Sequence, residues 1–253
     1  SLHDNLKFFE TDVLGTQVVA NAVYHHRATV DRFIHISTCE VYGAGQTAKM
    51  NETHPLNPHS PYAAAKAGAD RLVYAHHITY KTPAVILRPF NIYGARQHLE
   101  KVIPRFITSA ILGEPLTVHG DGAFKRDFMH VSDVARAVDL LIHAPRQTVI
   151  GEVFNAGSGR AISILDIARR IAARMDISRK QIHFVGDRPG QVSVFACDYR
   201  KINRALGWAP RVSFDGGLSQ TIDWYRKQRE VWNDQLWLRQ VPIITEKGKI
   251  ELH

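Results

Sequence analysis

Tyr62 and Lys66 lie four residues apart in SPYAAAK, and Ser60-Pro61 ahead of Tyr62 is a helix-opening pair: a hydroxyl cap, then proline at the first helical position. At that spacing both side chains share one helix face, a turn apart. A lysine ammonium beside a tyrosine hydroxyl favours the phenolate, so Lys66 is expected to lower the Tyr62 pKa toward neutrality and make it a general base. Tyrosine and lysine recur at this spacing on many helices as plain surface pairs, so the reading needs company. Upstream, His35-Ile36-Ser37-Thr38-Cys39-Glu40 ends a short β-rich run with hydroxyl, thiol and carboxylate side by side. In open parallel sheets ligands bind at the carboxyl ends of the strands. Singly, Thr38 would be a turn cap, Cys39 a buried filler and Glu40 a solvated carboxylate. With Tyr62 and Lys66 they make a proton-transfer set.

The elements that must hold these groups follow from periodicity. Val13, Leu14, Val18, Val19, Ala22 and Val23 recur at helical spacing and predict a helix over 10–26. RFIHIST reads as a buried strand, 43–59 as a long loop rich in Gly, Asn and Pro, 60–80 as a helix and 83–89 as a strand. Helix, strand, helix, strand predicts a parallel sheet covered by helices. Beyond residue 98 the elements shorten. KVIPRFITSAIL reads as a helix, and PLTVHG and RDFMHV as strands either side of the Gly120-Asp121-Gly122 turn. Residues 132–144 read as a helix capped by serine, EVFNAGSG as a strand, ISILDIARRIAARM as a helix and QIHFV as a strand. Two helices close the chain.

At 253 residues, 45% hydrophobic and 22% charged, the chain falls among folded α/β proteins, and disordered, collagenous and coiled-coil classes are excluded. Two cysteines make no disulfide framework and point to a reducing, cytoplasmic setting. CxxC and HExxH spacings are absent, and the pairs His25-His26 and His76-His77 have no third ligand, so no metal is expected. The apolar runs are shorter than a membrane span, so no membrane partner is expected. Lys plus Arg outnumber Asp plus Glu by 15 to 13 over residues 1–150 and by 17 to 11 over 151–253. That C-terminal surplus has no basic block interleaved with aromatics, so no nucleic-acid partner is expected. A small diphosphate needs only two or three arginines.

The motifs STCEVYG, SPYAAAKAGAD, RPFNIYGARQ, GDGAFKRDFMHVSDVARA, FNAGSG, DRPGQV and LGWAP run in this order along the chain. In this the sequence resembles the extended short-chain dehydrogenase/reductase family, specifically its NAD-dependent nucleotide-sugar epimerases and dehydratases. The resemblance implies a Rossmann-like, doubly wound parallel sheet with a smaller C-terminal α/β substrate lobe. Residues 1–98 would be the rear of the NAD-binding domain. Residues 99–253 would be mainly the substrate lobe, with segments near 126–155 returning to the first domain. It also implies NAD as cofactor, a UDP- or dTDP-linked sugar as substrate, and a homodimer through helices 10–26 and 60–80.

Carried over residue by residue, the resemblance makes Tyr62 the base at the sugar hydroxyl and Lys66 the holder of the nicotinamide ribose. Thr38 would bond the substrate hydroxyl, and Ser37 and Pro89 would line the cofactor. Asn91, Arg126, Asn155 and Arg188 would hold the nucleotide diphosphate and sugar, while Arg126 and Arg188 read without the family are surface ion pairs with Asp127 and Asp187. The triplet Thr38-Cys39-Glu40 departs from the family's patterns. Dehydratases resemble Thr-Asp-Glu there, and epimerases carry no carboxylate at the third place. With C4 oxidised, the C5 proton is acidic: Glu40 suits its removal, and Cys39 stands where the acid for the C6 hydroxyl is expected. A 4,6- or a 5,6-dehydratase is therefore expected. The alternatives are a 4-epimerase and, from another class, a non-catalytic sugar-nucleotide-binding or scaffold fragment. The family's GxxGxxG turn has no counterpart in the sequence, and a family chain is expected to carry about two further βαβ units ahead of Ser1.

Overall fold

The computed structural model describes residues 5–186, 194, 196–240, 242–244 and 250–252. Arg188 lies outside the described residues. The chain opens as a helix in three registers: α1 (Asn5–Phe8), a π-helical stretch (Phe9–Leu14) and α2 (Gly15–His25). Strand β1 (Phe33–Ile36) leads into a 3₁₀ turn (Cys39–Tyr42), which sequence periodicity does not reveal. Helix α3 (Pro61–Tyr80) opens as expected: the Ser60 hydroxyl accepts from Ala63 N and Pro61 takes the first position. Strands β2 (Ala84–Pro89) and β3 (Asn91–Tyr93) follow, then α4 (Val102–Leu112), β4 (Leu116–His119) and β5 (Lys125–His130). Next come α5 (Val131–His143), a short α6 (Arg146–Val149), β6 (Val153–Ala156), β7 (Ala161–Ser163), α7 (Ile164–Met175) and β8 (Ile182–Val185). Helices α8 (Arg200–Leu206) and α9 (Phe214–Lys227) complete the body.

Two expectations are corrected. The cap of α5 is His130, whose ring accepts from Ser132 N, and not Ser132 itself. Ile162 and Ser163 belong to a strand, Ala161–Ser163, antiparallel to β5, not to the helix that follows, because three extended residues leave no period to read.

The architecture is α/β. Strands β1, β2 and β6 form a parallel sheet in the order β1-β2-β6, with Phe33 opposite Ala84 and Ile86 opposite Val153. A second sheet, β3-β5-β7, pairs Asn91 with Phe128 and Arg126 with Ile162; β4 and β8 pair in parallel. One core lies between α4, β4, α7 and α9, built on Phe106, Ile107, Val118, Ile171 and Leu218. Another packs Val85, Leu87, Leu141, Phe154 and Trp208 behind the first sheet. Trp208 is fully buried, and its ring N–H donates to Asp133 O at 3.0 Å, so its polar edge is satisfied. Among the described residues no helix is long and apolar enough to cross a membrane.

Candidate active site

The site grows from the carboxyl end of β1. Thr38 is extended and caps the 3₁₀ turn, its Oγ1 accepting from Glu40 N at 3.2 Å. The turn closes on Gly43, where φ is 64° and a Cβ would sit 1.6 Å from Asn57 O, so glycine alone fits. Tyr62, in the first turn of α3, lies within hydrogen-bonding reach of Thr38, and its ring meets Phe8 edge-on at 5.7 Å. Lys66, one turn further, donates from Nζ to Ile36 O at 3.0 Å and stands 3.9 Å from Asp12 Oδ1 in the π-helical stretch.

That placement overturns one expectation. The Tyr62 hydroxyl is pushed up to about 12, by burial first and then by the negative charges of Asp12 and Glu40. Lys66 does not bring it toward neutrality in the chain alone, because Asp12 balances its charge. Burial likewise drives the Cys39 thiol well above its ordinary value. Cys39 is 2% exposed and therefore protonated, a weaker acid than its unperturbed thiol. Burial raises Glu40 too, against the opposing charges of Arg126 and Lys101.

Arg126 and Asp127 do not pair. Successive strand residues point to opposite faces. Arg126 faces Glu40, while Asp127 accepts from Ser158 N, Gly159 N and Cys197 N at 2.7, 2.8 and 3.0 Å. Asn91, Lys101 and Arg126 line one hollow of about 170 Å³. A second, of about 130 Å³, shares Val102 and Ile164 with it and is walled by Phe106, Thr117, His119 and Phe124. The Asn91 Oδ1 in this cleft is buried and without a partner among the described residues. Lys101 and His119 lie outside the site residues that the motifs suggest. The helix start KVIP and the strand-turn VHGDG were the available signals.

Three other expected site residues lie elsewhere. Ser37 donates to Asp70 Oδ2 at 2.7 Å behind the sheet, and Arg88 donates to both Asp70 oxygens at 2.8 Å and to the Tyr42 hydroxyl at 3.0 Å. Asn155 is fully buried: its Oδ1 accepts from Tyr42, its Nδ2 donates to Met50 O at 3.1 Å and its backbone N–H donates to Glu52 Oε1 at 2.7 Å. These atoms are spoken for and do not face the cleft. Pro89 is buried at the end of β2. Among the described residues no cluster of His, Cys, Asp or Glu could hold a metal ion. For a dinucleotide the fit is at the nicotinamide end. Lys66 Nζ spends one of its three donors on Ile36 O and stands a helical turn from Tyr62, which leaves donors for a ribose diol.

A strand-end hydroxyl, an elevated buried carboxyl and a Tyr-Lys helix beside a cation-lined cleft define the class: NAD-dependent extended short-chain dehydrogenases/reductases that act on nucleotide sugars. Residues 1–221 match the family model described as GDP-mannose 4,6 dehydratase, and the chain belongs to that family. It is 41% identical over 225 residues to a dTDP-glucose 4,6-dehydratase of an Actinoplanes species, an alignment covering 89% of this chain and 69% of the relative. DesIV, the dTDP-glucose 4,6-dehydratase of Streptomyces venezuelae solved with NAD bound, superposes with a TM-score of 0.87 at 36% identity, over 92% of this chain and 71% of DesIV. A UDP-glucuronic acid 4-epimerase of Bacillus cereus, in complex with UDP-glucuronic acid and NAD, gives 0.81 at 32% identity, over 86% and 68%.

Proposed function

We propose that this chain is an NAD-dependent nucleotide-sugar dehydratase that acts on a dTDP- or UDP-linked hexose and removes water across C5 and C6. The observation that carries the reading is Glu40: a carboxyl elevated by burial, beside a protonated thiol and facing Arg126 and Lys101. A 4-epimerase has no use for a base at C5.

When bound, NAD supplies the hydride acceptor for C4. Thr38 holds the C4 hydroxyl, and Tyr62 takes its proton. Lys66 holds the nicotinamide ribose, and its charge reaches Tyr62 only as far as Asp12 leaves it unbalanced. With a ketone at C4, Glu40 removes the C5 proton. Burial raises its pKa and makes it a stronger base than a solvated glutamate, with the charges of Arg126 and Lys101 opposing that rise. Cys39 then gives its proton to the C6 hydroxyl. The C5–H and C6–O bonds break, a C5–C6 double bond forms and water leaves; the hydride taken from C4 would then return to C6 while Glu40 gives a solvent-exchanged proton back to C5, so the net change is loss of one water with NAD recovered. Arg126, Lys101 and Asn91 hold the diphosphate and sugar, and the hollow around Phe106 and His119 takes the base. Arg188 is assigned to the diphosphate by its motif. Ser37, Asn155 and Pro89 serve as supports of the strand ends.

The deciding experiment incubates the chain with NAD and dTDP-glucose or UDP-glucose in deuterated water. The expected product is lighter by one water and carries solvent deuterium. A product of unchanged mass would make the chain an epimerase, the reading its likeness to the Bacillus cereus enzyme favours.

The same reading includes a homodimer through the helical stretch 10–26 and helix α3. Leu14, Val18 and Val19 on the one, and Tyr74 and Ile78 on the other, are exposed apolar groups that a partner would cover. Light scattering in solution tests it.

A further inference from the structure

The C-terminal charge surplus has a place in the fold that the dehydratase reading does not use. Along the edge of the β5–β7 ribbon lies a groove of about 900 Å³, larger than either hollow of the cleft. Lys125, Arg160, Arg169 and Arg211 line it. The two carboxylates at its rim are already engaged: Asp166 accepts from Arg170 at 2.9 Å, and Asp215 accepts from Arg170 at 2.8 Å and from Arg174. Among the described residues the side chains of Lys125, Arg160, Arg169 and Arg211 have neither an ion-pair nor a hydrogen-bond partner. Four like charges around one concavity repel each other, and a bound anion relieves the repulsion.

The walls are fixed. Asp133 accepts from Arg211 N and Val212 N at 3.0 Å each, tying down one side, and Ser163 caps α7 on the other. Tyr199 and Phe214, both half-buried, also line it, with the Arg170 guanidinium 5.9 Å over the Phe214 ring. Guanidinium forks suit paired phosphate oxygens, aromatic faces suit a base, and the volume is that of a small-molecule pocket.

We propose that this groove binds a nucleoside polyphosphate at a second site, back to back with the substrate cleft. Arg126 and Lys125 are neighbours on one strand and open to opposite sides, so the ribbon separates the two sites.

The test is calorimetric titration of ATP and of inorganic tripolyphosphate into the full 253-residue chain, the Arg160→Ala/Arg211→Ala variant and Arg126→Ala, with thermal melting to confirm that each is folded. One saturable ATP site is expected in the unaltered chain, unchanged in Arg126→Ala and at least tenfold weaker in the double variant. Tripolyphosphate should bind the same site more weakly, since it lacks a base for Tyr199 and Phe214. The proposal is overturned if ATP does not saturate, if Arg126→Ala abolishes binding while the double variant retains it, or if tripolyphosphate binds as tightly as ATP. It is also overturned if a short single-stranded RNA displaces ATP with higher affinity, which would make the groove a nucleic-acid surface.

Discussion

Two sets of polar residues meet around the end of β1 and the helix α3 that follows, and they live in opposite conditions. Behind the first sheet, Ser37, Asp70, Arg88, Tyr42 and Asn155 are buried with their hydrogen-bonding atoms paired. Burial opposes ionisation of Asp70, yet its bonds to Arg88, Ser37 and Arg71 outweigh this and hold it at about 2. On the cleft side Cys39 is buried and Thr38, Glu40 and Tyr62 are half-buried, and burial is the leading cause of the shifts at Cys39, Glu40 and Tyr62. A paired network fixes geometry; an under-paired one keeps protons that can move. Neighbouring residues fall to the two sides, Ser37 toward Asp70 and Thr38 toward Tyr62.

The largest effect is expected from Glu40→Gln: turnover should fall by about 10²–10⁴-fold, the range of general acid-base catalysis, with C5 exchange lost and the melting temperature kept. Retained exchange would place the base elsewhere. Arg88→Met should do the reverse. Leaving Asp70 with only Arg71 and Ser37 as partners costs up to about 3–5 kcal/mol in denaturant titration, before any effect on chemistry is read. Because the folded Asp70 pKa is depressed, its stabilisation is fully present above the ordinary carboxylate pKa of about 4 and is lost as pH falls toward about 2. Asp70→Asn should flatten that acid limb.

Arg126→Ala should raise KM about tenfold or more by removing charge-assisted bonds to the diphosphate. It should also move Glu40 further up, since one opposing charge is gone. The smallest change is expected from Asp12→Asn. Removing that carboxylate lowers the Tyr62 pKa, so more phenolate exists at neutral pH. The rising limb of the pH–rate profile should then move to lower pH by up to about 1 unit. An unmoved limb would mean that Asp12 does not govern Tyr62.

Local signals in the sequence carried much of this. Ser60-Pro61 opens α3 as its residue types dictate, and Thr38, Cys39, Glu40, Tyr62 and Lys66 do gather at one strand end. What the sequence hid depends on contacts between distant segments. Asp12 meets Lys66 only after two helices pack, so the sign of the Tyr62 shift was out of reach of a four-residue spacing. Asn155 sits in a matching motif, but a motif does not say to which side a strand residue points; the fold turns it toward Tyr42. Lys101 and His119 look like ordinary helix-start and turn residues until the cleft is assembled around them.

Glu52 closes the account of the first sheet. Ile86 N and Phe90 N bond to Glu152 O and Ala156 O, so the intervening Asn155 N–H points away from β2, where no further described strand stands. The Glu52 carboxylate takes that N–H as a neighbouring strand's carbonyl would. An open strand edge invites pairing with a second chain, and here one loop glutamate blocks it. The loop between β1 and α3 is thus also a guard against edge-to-edge association, and a chain in which it is misplaced would be sticky before it was inactive.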